Sequence, residues 1–201
     1  MKSNYKEELA RILWGTGALV FGEFTLTSGL KSPYYLDLGV LYSYPREYGV
    51  VVDLLSQLIR ERVKGDYLVA GVPLRGLPYA VSAANKLAKP FILIRKEVKG
   101  HGMGRRIEGR YKAGSQVVLV DDVATTGGSL LGAIDALREE GLEPLGAFVV
   151  VDRLQGAEAN LEGKGVSFTS LATILEIISS LERRGEISKG MAEKVRRYTG
   201  K

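Results

Sequence analysis

Along most of the chain, short apolar runs alternate with segments whose apolar residues recur every three or four positions, the pattern of strands and helices in turn. The runs 67–71, 91–95, 117–121 and 145–152 are almost continuously apolar, as strands covered on both faces are, and 166–171 offers a fifth. Between them, 76–87 places Leu77, Ala80, Val81, Ala84 and Leu87 on one helical face. The segment 129–140 does the same with Leu130, Ile134 and Leu137, and Gly141 follows where a helix cap belongs. Pro45 suits the first turn of a helix to Val63, whose packing face carries Tyr48, Val51, Val52, Leu55, Leu58 and Ile59. This alternation predicts an α/β fold: a mostly parallel twisted sheet flanked by helices.

The two ends differ from this pattern. A short helix with Leu9, Ile12 and Leu13 inward precedes a Gly-, Ser- and Tyr-rich stretch, 21–37, that suggests irregular strands. Residues 1–42 therefore read as a small hood, and 43–201 as a core that includes the C-terminal helices. Those helices fill 173–197 and are split at Gly185; their Lys194, Arg196 and Arg197 suit a solvated helix end better than a nucleic-acid patch.

Composition narrows the chemistry. A chain of 201 residues, 45% hydrophobic and 25% charged, fits one folded domain with a small appendage. With no cysteine, thiol catalysis and iron–sulfur sites are excluded, and the single histidine, His101, is too few for an HExxH zinc site. No apolar run approaches the roughly 20 residues that span a bilayer, and the N-terminus is not signal-like, so a cytoplasmic protein is expected. The net charge of +5 could serve nucleic acid or a small polyanion, and the placement of the cations decides.

That placement favours a sugar phosphate. The apolar run from Val117 delivers Asp121, Asp122, Val123, Ala124, Thr125, Thr126, Gly127, Gly128 and Ser129 to a helix start. In open α/β sheets ligands bind beyond the carboxyl ends of strands, where this loop must lie. The glycines let backbone approach an anion, and the hydroxyls stand beside unsatisfied helix N–H groups. Neither GxxxxGK[ST] nor GxGxxG is present. Two carboxylates would repel phosphate yet can accept hydrogen bonds from vicinal hydroxyls, which points to ribose. The bland alternative is an Asp-rich turn capping a helix. A second cluster, Arg95 to Arg110, is dense in cations and has glycines at 100, 102, 104 and 109, so a packed helix or strand is not expected there. Such a loop can close on a departing diphosphate and exclude water, or simply be solvated surface.

The thirteen residues Val117 to Ser129 resemble the hallmark of the phosphoribosyltransferases. The string Arg95, Lys96, Glu97, Lys99, His101, Gly102 resembles the catalytic loop of the orotate phosphoribosyltransferases, and Phe21 to Asp37 resembles their N-terminal signature. The resemblance spans residue 5 to about 175, with four motifs in the family's order. It implies the type I phosphoribosyltransferase fold and transfer of phosphoribose from 5-phospho-α-D-ribose 1-diphosphate (PRPP) to orotate, giving orotidine 5′-monophosphate and diphosphate in pyrimidine synthesis. It further implies that Asp121 and Asp122 meet the ribose hydroxyls, that Val123 to Ser129 hold the 5-phosphate side of PRPP, and that Arg75, in the turn 71–78, and Arg95 meet the diphosphate. Lys96, Lys99 and His101 would act on it from the neighbouring subunit of a homodimer, Lys99 and His101 as catalytic groups beside the acid pair.

Tyr34, Tyr35, Thr125 and Arg153 would line the orotate site, Arg153 pairing with the carboxylate; its alternative is an ion pair with a neighbour such as Asp152. Magnesium is expected to ride on the substrate, with no direct protein ligand. Thr27 departs from the pattern, standing where many members carry a lysine, which Lys31 could replace. Three rivals share parts of this reading: a transferase for uracil or a purine, a PRPP-sensing regulator, and a dimer scaffold with a vestigial site.

Overall fold

The computed structural model describes residues 5–25, 29, 31–95 and 106–200. The chain forms two compact units, one of Met1–Val51 with Ala172–Lys201 and the other of Val52–Leu171. The expected division kept the C-terminal helices with the core, whereas the structure groups them with the N-terminal segment.

The physical reason lies in two amphipathic helices. Helix α1 (Tyr5–Gly15) buries Leu9, Ala10, Ile12 and Leu13. It packs on α6 (Ile174–Arg183), which buries Ile174, Ile177, Ile178 and Leu181. Thr173 and Glu176 form a capping box at the start of α6, and Glu176 also pairs with Lys6 of α1, tying both helices at one point. Between them in sequence, β1 (Leu19–Thr25) and β2 (Lys31–Leu36) form an antiparallel hairpin with a bulge between Phe21 and Phe24. Helix α7 (Lys189–Thr199) packs against β2 and α6. Helix α2 (Pro45–Arg62) follows a single 3₁₀ segment capped by Asp37 and runs across the division.

The second unit holds a six-stranded sheet with the order β5-β4-β3-β6-β7-β8. Its strands are β3 (Leu68–Gly71), β4 (Phe91–Ile94), β5 (Ile107–Glu108), β6 (Gln116–Ala124), β7 (Glu143–Asp152) and β8 (Ser167–Thr173). Strands β4, β3, β6 and β7 run parallel. Helix α3 (Gly76–Leu87) covers one face, and Gly71 permits the contact, since a Cβ there would lie 2.8 Å from that of Ala80 and 2.9 Å from the Leu77 Cα. Helices α4 (Gly128–Glu139) and α5 (Ala157–Glu162) cover the other, where Leu130, Ile134, Leu137 and Leu161 join Ala70, Ile92, Leu119 and Val149 in one buried cluster.

The observed boundaries follow the sequence pattern closely for 76–87 and 45–62. Two expectations are corrected. Strand β6 continues past Asp121 to Ala124, because β7 pairs with it as far as Asp152. The segment 95–110 was expected to hold no packed strand, yet Ile107 and Glu108 pair antiparallel with β4 and Ile107 is buried. The glycine that follows, Gly109, adopts φ +119°, which ends that short strand.

The strand order fixes where ligands can bind. From β3 the chain crosses to β4 on one side, and it later returns to place β6 on the other side of β3. The loops leaving β3 and β6 therefore diverge at a switch point, opening a crevice at the carboxyl ends of both strands.

Candidate active site

Asp121 and Asp122 lie at that crevice on β6, both buried. Each carboxylate accepts the N–H of the next residue: Asp122 N donates to Asp121 Oδ1 at 2.9 Å, and Val123 N to Asp122 Oδ1 at 2.8 Å. Burial, and then the negative charge of Asp122, push the Asp121 carboxyl well above the ordinary carboxylate range. Burial also raises Asp122, though the Val123 N–H and the Arg75 guanidinium oppose it. Two adjacent carboxylates held dry at a strand end are unfavourable for folding alone. They suit a ligand that brings hydroxyl donors.

The turn after β3 presses directly on this pair. Val72 N donates to Val120 O at 3.0 Å, and Gly76 N to Val72 O at 3.0 Å. A Cβ on Gly76 would stand 2.5 Å from Val120 O and 2.9 Å from Asp121 Oδ1, so only glycine lets α3 begin here. The Pro73–Leu74 peptide bond in this turn is cis. Arg75, expected at the diphosphate, stands exposed at the start of α3, close enough for its charge to act on Asp122.

Beyond Ala124 the chain turns into α4. Gly127 caps that helix with φ +80° and no side-chain acceptor, and no acid occupies its first turn. Gly128 and Ser129 are exposed, so the positive helix end and its free amides face outward as an anion cradle. Gly127 is doubly constrained: besides its left-handed φ, a Cβ would meet Leu161 Cδ1 at 2.8 Å. Sequence reasoning missed the brace behind this loop. Asn160 of α5 donates from Nδ2 to Thr126 O at 2.9 Å.

The remaining expected residues divide by unit. In the core, Arg95 pairs with Glu108 and lines a cavity of about 200 Å³ with Val72, Pro73, Ser129 and Arg106, so it does meet the loops after β3 and β6. Arg106 was also overlooked; its main chain accepts the Arg95 N–H at 2.8 Å, and its Nε–H is buried without an acceptor among the described residues. Arg153 follows β7, and its N–H donates to Ala124 O at 2.9 Å, which places its backbone beside the start of the loop after β6. The Asp152 carboxylate accepts the Leu154 N–H at 2.8 Å. Ala124 is buried, leaving its side chain no ligand surface, while Val123 is partly covered and Thr125 half-open.

In the hood, strand alternation separates the expected aromatic pair. Tyr34 is fully buried and meets Tyr198 edge-on, whereas Tyr35 is 43% exposed beside Phe24. Lys96, Lys99, His101 and Thr27 lie outside the described residues.

Comparison with known proteins supplies independent bearings. Residues 39–181 match the phosphoribosyl transferase domain. The chain is 40% identical over 187 residues to an orotate phosphoribosyltransferase of Thermococcus kodakarensis, covering 93% of this chain and 99% of that protein. It superimposes on the orotate phosphoribosyltransferase of Aeropyrum pernix with a TM-score of 0.78 at 39% identity, over 90% of this chain and 99% of that one. Against Leishmania donovani UMP synthase the TM-score is 0.87 at 34% identity, covering 97% of this chain and 42% of that longer one.

Two outcomes test this geometry. Because the raised Asp121 carboxyl holds its proton in the folded state after the unfolded chain has lost it, stability must fall as pH rises from the ordinary carboxylate range to its raised value, then level off. Asp121→Asn removes that penalty: its melting temperature should equal the parent's in acid and exceed it at neutral pH, while turnover falls about 10- to 100-fold with the lost charged acceptor. A variant less stable than the parent at neutral pH would contradict the assignment. Asn160→Ala should raise KM for PRPP about fivefold, the worth of one hydrogen bond, with kcat and KM for orotate nearly unchanged. Asn160→Asp, which keeps the shape but lacks the donor, should do no better; steady-state kinetics that show an equal loss in kcat would refute the brace.

Proposed function

The chain belongs to the orotate phosphoribosyltransferase family, and from that premise we propose how its residues carry phosphoribose from PRPP to orotate to give orotidine 5′-monophosphate and diphosphate. The observation that carries the reading is the buried acid pair at the end of β6, set immediately before an open helix N-terminus at the sheet's switch point. A ribose 5-phosphate is the ligand whose parts match that order: hydroxyls for the carboxylates, and a dianion for the helix amides one turn further on.

On this reading Thr125 to Ser129 receive the 5-phosphate, and Asp121 and Asp122 accept from the ribose hydroxyls. The diphosphate then falls toward the turn after β3, where Arg75, Arg95 and Arg106 are described cations. Orotate N1, losing its proton, bonds to the ribose anomeric carbon as the bond to diphosphate oxygen breaks with its electron pair. Positive charge grows on the sugar and negative charge on the leaving group, so the chain's task is to stabilise charge rather than to supply a nucleophile. Arg153, beside the phosphate loop, takes the orotate carboxylate in a bidentate pair, with Thr125 near it. Within its own unit, Tyr35 is the exposed member of the aromatic pair and the one free to meet a base, whereas Tyr34 is buried in packing.

Magnesium fits as an ion held chiefly by substrate oxygens, where it would neutralise the diphosphate. It prefers six oxygen donors and dehydrates reluctantly, and two adjacent carboxylates can at most complete a shell the substrate supplies. On this reading Lys96, Lys99 and His101, which lie outside the described residues, act on the diphosphate from a second copy of the chain. In support of a dimer, Leu74, in the turn before α3, is 76% exposed and Val81, on α3, is 41% exposed, apolar surface that a partner could cover. We place the enzyme in the cytoplasm with its soluble substrates; no described helix is long and apolar enough to cross a membrane.

The direct test is orotate-dependent release of diphosphate from PRPP and magnesium. Orotate should support turnover and uracil should not, and Arg153→Met should cut kcat/KM for orotate about 100-fold through loss of the charged pair. Equal rates with uracil, or an Arg153→Met enzyme that handles orotate normally, would move the chain to a different base.

A further inference from the structure

The hood unit contains a groove lined by no residue of the loops after β3 and β6. It has a volume of about 510 Å³, within the range of small-molecule sites, and lies between the β1–β2 hairpin and α7. Its described walls are of two kinds. Phe21, Met191 and Tyr198 give it an apolar and aromatic side. Lys31, Lys194 and Arg197 give it a cationic side, with Glu23 as the one acid among the described lining residues.

The cations share a direction. Lys194 and Arg197 stand three residues apart on α7 and so project from one helical face. Neither Lys31 nor Lys194 has an ion pair among the described residues, and Arg197 has only the exposed Glu193 at 3.7 Å, a weak tie. The floor, by contrast, is firmly built: Ser32 Oγ donates to Tyr34 O at 2.7 Å, and Tyr34 is held edge-on by Tyr198 at a centroid distance of 6.0 Å. A firmly bonded floor, an aromatic wall and three cations, two without an ion pair among the described residues and one weakly tied, match a planar ring joined to a phosphate.

We propose that this groove is a second ligand site, specific for a nucleoside phosphate, whose base lies against Phe21 and Tyr198 and whose phosphate is held by Lys31, Lys194 and Arg197. The site shares no residue with the loops after β3 and β6, so the proposal does not rest on the transfer reaction. The protein carries its own reporter. Trp14, its single tryptophan, meets Phe21 with ring centroids 5.5 Å apart, so a base seated on Phe21 alters the indole's surroundings.

Equilibrium dialysis with UMP, in the presence of saturating PRPP and magnesium to fill the core loop, should find one nucleotide per chain, with a parallel saturable change in Trp14 emission. Uridine and inorganic phosphate at equal ionic strength should each bind far more weakly. The double variant Lys194→Gln/Arg197→Gln should raise the dissociation constant about tenfold or more through two lost charged contacts, while orotate turnover stays at the parental rate. No retained UMP overturns the proposal. So does UMP binding that the double variant leaves unchanged, which would put the nucleotide elsewhere, or inorganic phosphate binding as tightly as UMP, which would make the groove a simple anion site.

Discussion

Two carboxylates buried side by side at the end of a central strand set the terms for everything around them. Left to themselves, Asp121 and Asp122 repel one another and lack water, and the fold tolerates them because backbone N–H groups and the Arg75 charge compensate in part. The remaining deficit is what a polyhydroxyl ligand can relieve. Groups that fit the fold poorly on their own are where stability withheld from the free chain can reappear as affinity for a ligand.

Close packing then aims the neighbouring loops at that pair. Gly76 admits the turn after β3 to within contact of Asp121, and Gly71 lets α3 lie flat on the sheet behind it. On the opposite face Leu161 sits under Gly127 while Asn160 fastens Thr126, so the loop after β6 is held from behind by a helix of only six residues. The crevice is thus defined by sheet topology and shaped by three glycines and one amide. In the other unit, strand alternation commits Tyr34 to packing and leaves Tyr35 exposed.

Most of this was legible in the sequence because buried parallel strands and amphipathic helices carry strong periodicities, and because the acid–Thr–Gly run is contiguous. What escaped has physical reasons. Helix α5 is too short for a period, and β5 spans two residues in a glycine-dense stretch that reads as loop. Adjacent aspartates looked like the end of a strand, yet pairing with β7 carries β6 on to Ala124. Asn160 lies 34 residues from Thr126, and Arg106 reaches Arg95 only once β4 and β5 have paired, so neither role is written in local sequence. The grouping of α6 and α7 with the hood likewise arises from the match between two distant apolar faces, on α1 and α6.

The central claim is that the acid pair and the loop beyond it together receive a sugar phosphate. Isothermal titration of the folded protein with PRPP and magnesium tests it most directly. The account predicts saturable heat with one PRPP per chain, strongly weakened in Asp122→Asn. Folded protein that takes up no PRPP, or takes it up equally well without that carboxylate, contradicts it.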